Sequence, residues 1–425
     1  MKILKYFGYA FLVLVFGLIL LIMWLRWDDP LKDNAQKYIR SDLLYQPHLK
    51  EHAFFSALGL NAKDDVDAAD LGRHRYHTEW GHFLKDMNAE YTQIDSGLNQ
   101  QLTRKPLSKE DLDLLKELRS TLIASPNNFS GLVVKHKQRL GELLVQEQVP
   151  LQRFQSLMQS KDYVSLVMQP AAMSVDSRYF INLQVLSLVK VELQSEKKFK
   201  DYLTQFNYAF NFTNNQLNLI EKMSTVAWLS QIIDLIRVEQ TSAKQKITLP
   251  TMSPEQLSLN HSLRYEYAGT YITTRQKLSQ YEREGYGFML SLMLLPNKTF
   301  NTLADRYDHI WVLSETAYPQ LPEKIVNIDF GPFEMYRLKN VMGNIYAQIE
   351  MPRYDHYLLK THIVNNKIYS FNALNDEKFN LKKDVVGAEG RRYVEYENML
   401  CTTPPYPQNR FNDLKDFGIN SCVRI

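Results

Sequence analysis

The longest run of hydrophobic positions lies near the start of the chain, at Tyr6–Leu25. Its 20 residues carry no charge, and as an α-helix they extend about 30 Å, the thickness of a bilayer's hydrocarbon core. A cleaved signal peptide has a shorter apolar region that ends in small residues, whereas this run ends in Trp24-Leu25-Arg26-Trp27. The pattern therefore favours an uncleaved transmembrane anchor over a signal peptide, with the lipid bilayer as its partner.

Charges on either side of this run predict its orientation. Lys2 and Lys5 precede it, and Asp28 and Asp29 follow shortly after it. Because basic residues favour the cytoplasmic side of a membrane, we expect residues 1–27 to form a cytoplasmic stub and a single transmembrane pass. The main domain would then lie across the membrane. In a bacterium this places the anchor in the inner (cytoplasmic) membrane and the main domain in the periplasm.

Most of the remaining chain places its apolar residues at helical spacing. Leu217–Val238 follows a period of 3.6 residues, and Tyr179–Leu193 is apolar on nearly every side, which predicts a fully buried helix. Met335–Met351 and Tyr354–Leu374 form a last pair. Successive helices with short polar turns are typical of helical-hairpin arrays, although no fixed repeat consensus is present. The apolar stretch Gly285–Leu295 is too short to span a membrane and predicts a buried core helix.

The pattern changes after Asn380. Val394–Glu397 alternates as a β-strand does, and the last residues, Cys422–Ile425, could pair beside it. We therefore predict a mainly α fold. It has an N-terminal transmembrane helix, an irregular helical-hairpin array resembling tetratricopeptide repeats, and a small β-containing C-terminal lobe.

Breaks in this pattern divide the chain into four predicted parts. Residues 1–27 form the stub and anchor, 28–105 an N-terminal helical segment, 106–316 the hairpin array, and 317–425 the last helix pair with the small lobe. The polar segment Asp28–Leu49 is expected to act as a spacer between the membrane and the main domain.

Net charge argues against a nucleic-acid partner. Lys2, Lys5 and Arg26 account for the whole net charge of +3, because removing them from 50 basic residues leaves 47, equal to the 47 acidic residues. A nucleic-acid-binding protein carries a basic excess, so no nucleic-acid partner is expected.

The two cysteines, Cys401 and Cys422, both lie near the C-terminus. Outside the cytoplasm, two cysteines in one small lobe are typical of a disulfide. The alternative is a pair of free thiols that are buried separately. The expected compartment favours the disulfide, which requires Cα atoms within about 7 Å.

The densest group of potential metal ligands is the segment 74–82. His74 and His77 share a helical face, Glu79 lies between the histidines, and His82 is turned away from that face. This spacing matches no established zinc motif, so a polar helix face without metal is the simpler interpretation. No cofactor is predicted, and no residue is assigned a catalytic role. Two S-x-x-K segments lack the companion motifs of penicillin-binding proteins.

Four short blocks resemble a family of uncharacterised, membrane-anchored gammaproteobacterial proteins of similar length. The resemblance spans most of the main domain, and it implies the membrane location and the helical build but no activity. The blocks are Phe54–Ala62 with Asp70–Arg73, Phe210–Met223, Leu295–Asn301 and Asn340–Tyr346.

Two functions from different classes follow from these patterns. The first is a non-enzymatic scaffold, anchored in the inner membrane, whose helical array binds a protein or peptide in the envelope. Arrays of this kind commonly form concave binding surfaces. The alternative is an envelope-associated hydrolase whose site is assembled from residues far apart in sequence.

Overall fold

In the computed structural model the chain is mainly α-helical. The structure describes residues 2–39, 52–86, 102–167, 176–243, 245–316, 320–321, 339–349, 354–376, 392–396, 399–403 and 422–424. The α-helices are α1 (Lys2–Arg26), α2 (Asp33–Ile39), α3 (Ala53–Leu58), α4 (Ala68–Asp86), α5 (Lys109–Ala124), α6 (Phe129–Lys135), α7 (Lys137–Gln146), α8 (Gln148–Met158), α9 (Ser177–Gln194), α10 (Lys198–Phe212), α11 (Leu219–Ala243), α12 (Pro254–Leu257), α13 (Asn260–Arg283), α14 (Gly287–Met293), α15 (Pro296–Glu315), α16 (Val341–Ile349) and α17 (Tyr354–Asn375). A 3₁₀ turn, Pro126–Asn128, precedes α6.

The chain forms two compact units, and each unit combines segments that are distant in sequence. Unit 1 comprises Met1–Ser41, Tyr267–His309 and Val326–Tyr354. Unit 2 comprises Asp42–Glu266, Ile310–Ile325 and Asp355–Ile425.

Within unit 1, α1 is the one described helix that is long and apolar enough to cross a membrane, over Tyr9–Arg26. No residue of that window is buried in the protein. A helix that is apolar all round and exposed all round requires an apolar environment outside the protein. This observation supports the membrane anchor that the sequence predicts.

The segment after α1 is docked on α15 rather than extended as a spacer. Both carboxylate oxygens of Asp28 accept backbone N–H groups at the start of α15, from Asn297 (2.9 Å) and Lys298 (3.0 Å). Such caps satisfy donors that a helix leaves unpaired. Further along, Tyr38 Oη donates to Asp308 (2.9 Å). The spacer interpretation is therefore wrong for residues 28–38, while residues 40–49 lie outside the described ranges.

Aromatic side chains form the core of unit 1. Tyr38, Tyr267 and Tyr307 pack with ring centroids 5.1–6.0 Å apart, and Tyr354 packs edge-on against Tyr307 at 5.2 Å. The hydroxyl groups are paired as well, because Tyr267 Oη donates to the Phe300 carbonyl (3.0 Å). Buried tyrosines of this kind need a polar partner for the hydroxyl group.

Unit 2 begins with two helices whose backbones nearly touch. A β-carbon placed on Gly72 of α4 would lie 1.8 Å from the carbonyl oxygen of Phe55 in α3. One placed on Gly59 would lie 1.8 Å from the carbonyl oxygen of Ala68. Both glycines are therefore required by the close approach of α3 to α4.

The middle of unit 2 has the helices that the sequence predicts, with nearly the predicted boundaries. The buried helix expected at Tyr179–Leu193 is α9, in which Leu183, Leu186, Leu188 and Val189 are fully buried. Trp228 of α11 is buried against Phe154 of α8, with ring centroids 5.6 Å apart.

Helix α17 is buried on nearly all sides although many of its residues are polar. Its asparagines hold the extended segment before α12: Asn365 Oδ1 accepts from Met252 N (2.9 Å), and Asn372 pairs with both the N–H and the carbonyl of Leu249 (2.8 Å each). Lys367 is fully buried and donates to Asp234 (2.6 Å) and Ser230 (3.0 Å) of α11.

A small antiparallel sheet near the C-terminus completes unit 2. Its strands are β1 (Arg392–Tyr396), β2 (Met399–Thr403) and β3 (Cys422–Arg424), in the order β1-β2-β3. The fold class, mainly α with an N-terminal apolar helix and a small β-containing lobe, is confirmed. The expected pairing of the last strand with Val394–Glu397 is wrong, because β3 pairs with β2 instead. β2 lies between β1 and β3 and pairs with both of them, so the strand beside β1 is β2 and not β3.

This register places Cys401 directly opposite Cys422, and the two form a disulfide with Cα atoms 4.0 Å apart. The predicted disulfide is therefore present. The bond closes a loop between residues 21 apart in sequence, and closing such a loop stabilises a fold by about 3 kcal/mol.

Replacing both cysteines by serine should lower the free energy of unfolding of the sheet by about 3 kcal/mol. Hydrogen exchange of the β1–β3 amides measures this loss, and addition of a reductant should have no effect on the serine variant. Thiol titration of the unreduced, denatured wild-type protein should find no free cysteine. Two titratable thiols would contradict the assignment.

Candidate ligand pocket

A polar pocket of about 310 Å³ in unit 2 is the candidate functional site. The loop 214–217 forms one side, and the start of α13, residues 260–264, forms another. Lys222, Glu255, Ser258 and Glu315 complete the lining. Its volume lies at the lower end of the range for ligand pockets.

The loop side of the pocket is fixed by hydrogen bonds to the segment after α8. Ser165 N donates to Gln216 O (2.8 Å), and Gln216 N donates to Tyr163 O (3.1 Å), as in a parallel bridge. The side chain of Asn215 also donates to the Ser160 carbonyl (2.9 Å). A loop held at both its backbone and its side chains presents a preformed wall.

The opposite side is positioned by helix caps. Ser253 and Gln256 form a reciprocal capping box at the start of α12. The amide of Gln256 also donates to Phe210 O (3.0 Å) at the end of α10. At the first turn of α13, Ser262 Oγ donates to Leu217 O (2.8 Å), which joins α13 to the loop side.

Lys222 is a buried cation that joins the two sides. Its ammonium group donates to the Thr213 carbonyl (3.0 Å) and to the Gln256 carbonyl (2.5 Å). Both acceptors lie at helix C-termini, where carbonyl groups lack helical partners and favour a positive charge. Burial lowers the pKa of Lys222 to about 7.

Glu221, the preceding residue, is also buried. Its carboxylate accepts from Tyr163 Oη (2.7 Å), from Ser165 Oγ and from Asn218 N (3.3 Å). Burial raises its pKa to about 7, although these hydrogen bonds act in the opposite direction. The backbone oxygen of Ser165 lies 3.2 Å from Nε2 of His261, a pocket residue. The Glu221 carboxylate therefore does not line the pocket itself, but it contacts Ser165, which in turn contacts the pocket residue His261.

The contribution of Glu221 to the stability of unit 2 should fall as pH rises from 4.5 to 7. The folded protein retains the Glu221 proton up to about pH 7, whereas the unfolded chain releases it near pH 4.5. The stabilisation from this group is complete below pH 4.5 and is lost as pH rises through about 7, a change of about 3 kcal/mol. Lys222 acts in a separate window above pH 7, where stability rises with pH toward 10.5.

Glu221→Gln should remove this decline, because glutamine stays neutral and keeps the shape of the side chain. Urea unfolding between pH 4.5 and 7, followed by circular dichroism, measures the difference between the two proteins. Other carboxyl groups affect both proteins equally and cancel. Parallel pH profiles for wild type and variant would contradict the raised pKa of Glu221.

Sequence reasoning did not single out this pocket. The block Phe210–Met223 supplies the loop side of the pocket together with Glu221 and Lys222, but it was singled out only for its resemblance to the family. The sequence signal that could have indicated the site is the adjacent acidic and basic pair Glu221-Lys222 within the apolar periodic run Leu217–Val238. Periodicity places both residues near the buried face of α11, where charges are rare unless they are paired.

The predicted metal candidates do not converge on the pocket. His74 is exposed on α4, while His77 is half-buried beside the ring of Phe55 (6.1 Å between centroids). His52, a further histidine at the start of the helix that packs against α4, is engaged as the cap of α3, because its Nδ1 accepts from Phe54 N (3.1 Å). The side chains of Glu79 and His82 lie outside the described part. Among the described residues, no three His, Cys, Asp or Glu side chains are placed to hold a metal ion.

Comparisons with protein-family models, with curated proteins and with solved structures gave no match. The resemblance to the membrane-anchored gammaproteobacterial family therefore stays a prediction. The described residues form a mainly helical protein that has a helix long and apolar enough to span a membrane and a polar pocket in unit 2.

Proposed function

We propose that this protein is a non-enzymatic binding scaffold, anchored in the inner membrane by α1, that holds a peptide segment of an envelope protein in the pocket of unit 2. The observation that carries the proposal is the lining of the pocket. It combines side chains of both charges, such as Arg264 and Glu255, with the amides of Asn214 and Asn260. Side-chain amides both donate and accept hydrogen bonds, as the peptide group of a bound segment requires.

The rigid walls also support peptide binding. A preformed site avoids the entropy cost of ordering its own loops when a ligand binds. The loop 214–217 is fixed by backbone pairing, and the opposite wall is fixed by the caps of α12 and α13. A bound segment would therefore meet donors and acceptors that are already oriented.

Site-specific photo-crosslinking in living cells tests the binding proposal. A photoreactive amino acid at Asn214, exposed at the pocket, should give a discrete adduct with one envelope protein. The same amino acid at Lys116, exposed on α5, should not. Glu255→Lys, which reverses a charge at the pocket, should abolish the adduct.

Glu110→Lys is the matched control, since Glu110 is also an acidic residue in the first turn of a helix of unit 2, away from the pocket. It should leave the adduct unchanged. Absence of an adduct at Asn214, or equal loss in both charge variants, would contradict binding at this pocket.

The proposed orientation has a separate test. A reporter enzyme that is active only in the periplasm should be active when fused after Ile425, because Lys2 and Lys5 retain the N-terminus in the cytoplasm. Activity of a cytoplasm-only reporter at this position would overturn the orientation.

A further inference from the structure

Helix α14 and Tyr286, the residue before it, lie within the stretch that sequence alone predicted as a buried core helix, yet they carry exposed large apolar side chains. Tyr286 is 61% exposed, Phe288 53% and Met293 42%. The prediction of a buried helix is therefore wrong for these side chains. Beyond Trp27, the exposed large aromatic side chains in the described part of the chain are Tyr281, Tyr286 and Phe288. Clustered exposed apolar groups mark an interaction surface, whereas single ones do not.

α14 lies beside the end of the membrane-spanning helix, within unit 1. It packs against α1, and the guanidinium carbon of Arg26 lies 5.3 Å from the centre of the Phe288 ring. On α1 itself, the ring of Trp24 is 5.5 Å from the ammonium group of Lys339. Aromatic and basic side chains in such pairs are characteristic of the boundary between lipid headgroups and acyl chains.

The position of α14 relative to α1 is fixed by covalent and hydrogen-bonded connections. α15 begins three residues after α14 ends, and its first turn is capped by Asp28, two residues after the end of α1. On the other side, Gly285 adopts a positive φ of 85° in the turn that leads from α13 into α14. A membrane crossed by α1 therefore meets α14 at the level of Arg26.

We propose that α14, with the adjacent Met342 of α16, forms a second membrane contact that lies in the headgroup region of the bilayer spanned by α1. This inference rests on the membrane anchoring in the proposed function. The occupant of the surface is lipid, because the surface continues from α1, none of whose side chains in the membrane window Tyr9–Arg26 is buried in the protein. Apolar side chains of a helix that lies in the interface bind the membrane by burial at the headgroup boundary, and the exposed Phe288 and Met293 of α14 are apolar side chains of this kind.

Depth-dependent quenching in vesicles tests the contact on the full-length protein. The two native cysteines are bonded to each other, so one introduced cysteine is the sole site for a thiol-reactive fluorophore. The protein is reconstituted in vesicles of equal parts phosphatidylethanolamine and phosphatidylglycerol. Labels replace Tyr286, which directly precedes α14, Met293 at the end of α14, Leu14 in the middle of α1, or His309, which is exposed in the α15 part of unit 1.

Labels at positions 286 and 293 should shift to shorter wavelength and lose intensity to doxyl groups near the lipid headgroups. The label at 309 should remain in water and unquenched, and the label at 14 should be quenched by doxyl groups deep in the acyl chains. Quenching at 14 with none at 286 and 293 would overturn the second contact while leaving the anchor in place. No quenching at 14 would overturn the anchor itself.

Discussion

Gly72→Ala should destabilise the pair of helices α3 and α4 by about 4 kcal/mol, above the usual range for overpacking. The added β-carbon would lie 1.8 Å from the Phe55 carbonyl oxygen. The opposing atom belongs to the backbone, so no rotamer change relieves the clash and the helices must separate. Hydrogen exchange of the α3 and α4 amides measures the loss.

Gly141→Ala is the matched control, because Gly141 is also helical, in α7, and a β-carbon there meets no atom within 4 Å. Alanine should stabilise α7 by about 0.5–1 kcal/mol, the intrinsic preference over glycine in a helix. Two glycine-to-alanine changes should therefore act in opposite directions. A stabilising or neutral Gly72→Ala would show that α3 and α4 are farther apart than described.

Lys367→Met should lower the free energy of unfolding of unit 2 by about 3–5 kcal/mol. Lys367 is fully buried and pairs with Asp234. Removing only the cation leaves the carboxylate of Asp234 without its compensating charge. Burial already raises the pKa of Asp234, and Lys367 opposes that rise. Urea unfolding near pH 7 measures the effect, which should diminish at low pH as Asp234 becomes protonated.

Two further variants separate this effect from a loss of packing. Lys32→Met removes the cation of an exposed ion pair with Asp305, which contributes only about 0–1 kcal/mol. Adding Asp234→Asn to Lys367→Met removes the partly buried carboxylate that has lost its cation, and should recover part of the loss. No recovery in the double variant would indicate that Lys367 stabilises unit 2 by packing alone.

The long helices of unit 2 were predictable because their periodic apolar residues extend over several turns. Leu217–Val238 was expected and α11 is Leu219–Ala243, while Tyr354–Leu374 was expected and α17 is Tyr354–Asn375. The disulfide was predictable from the expected compartment and from the position of both cysteines in one small C-terminal lobe. The strand that pairs with β3 was not, because the pattern of one short strand does not specify its neighbour.

Features that depend on distant contacts were not accessible from the sequence. The apolar composition of α14 predicts that the helix is buried by other parts of the protein. In the structure Phe288 and Met293 are exposed instead, and in our proposal lipid covers them. Similarly, the polar composition of residues 28–38 suggested a spacer. Their partners on α15 lie about 270 residues away in the sequence, so the local pattern could not reveal the contact. Glu221 and Lys222 are ionisable residues within an apolar helical run. Their burial is offset by hydrogen bonds to residues distant in sequence, such as Tyr163 and Gln256.

The capping of α15 by Asp28 also bears on how the chain is synthesised. Tyr38 and Asp308 are 270 residues apart, so at the usual rate of synthesis the early segment waits at least about 13 s before its partner leaves the ribosome. During that interval Tyr38 lacks Tyr267 and Tyr307, the rings against which it packs in the folded protein. Unit 1 therefore closes late, after the segment Asp42–Glu266 of unit 2 has been made. A ribosome-bound chain that ends before α15 should leave residues 28–38 open to protease.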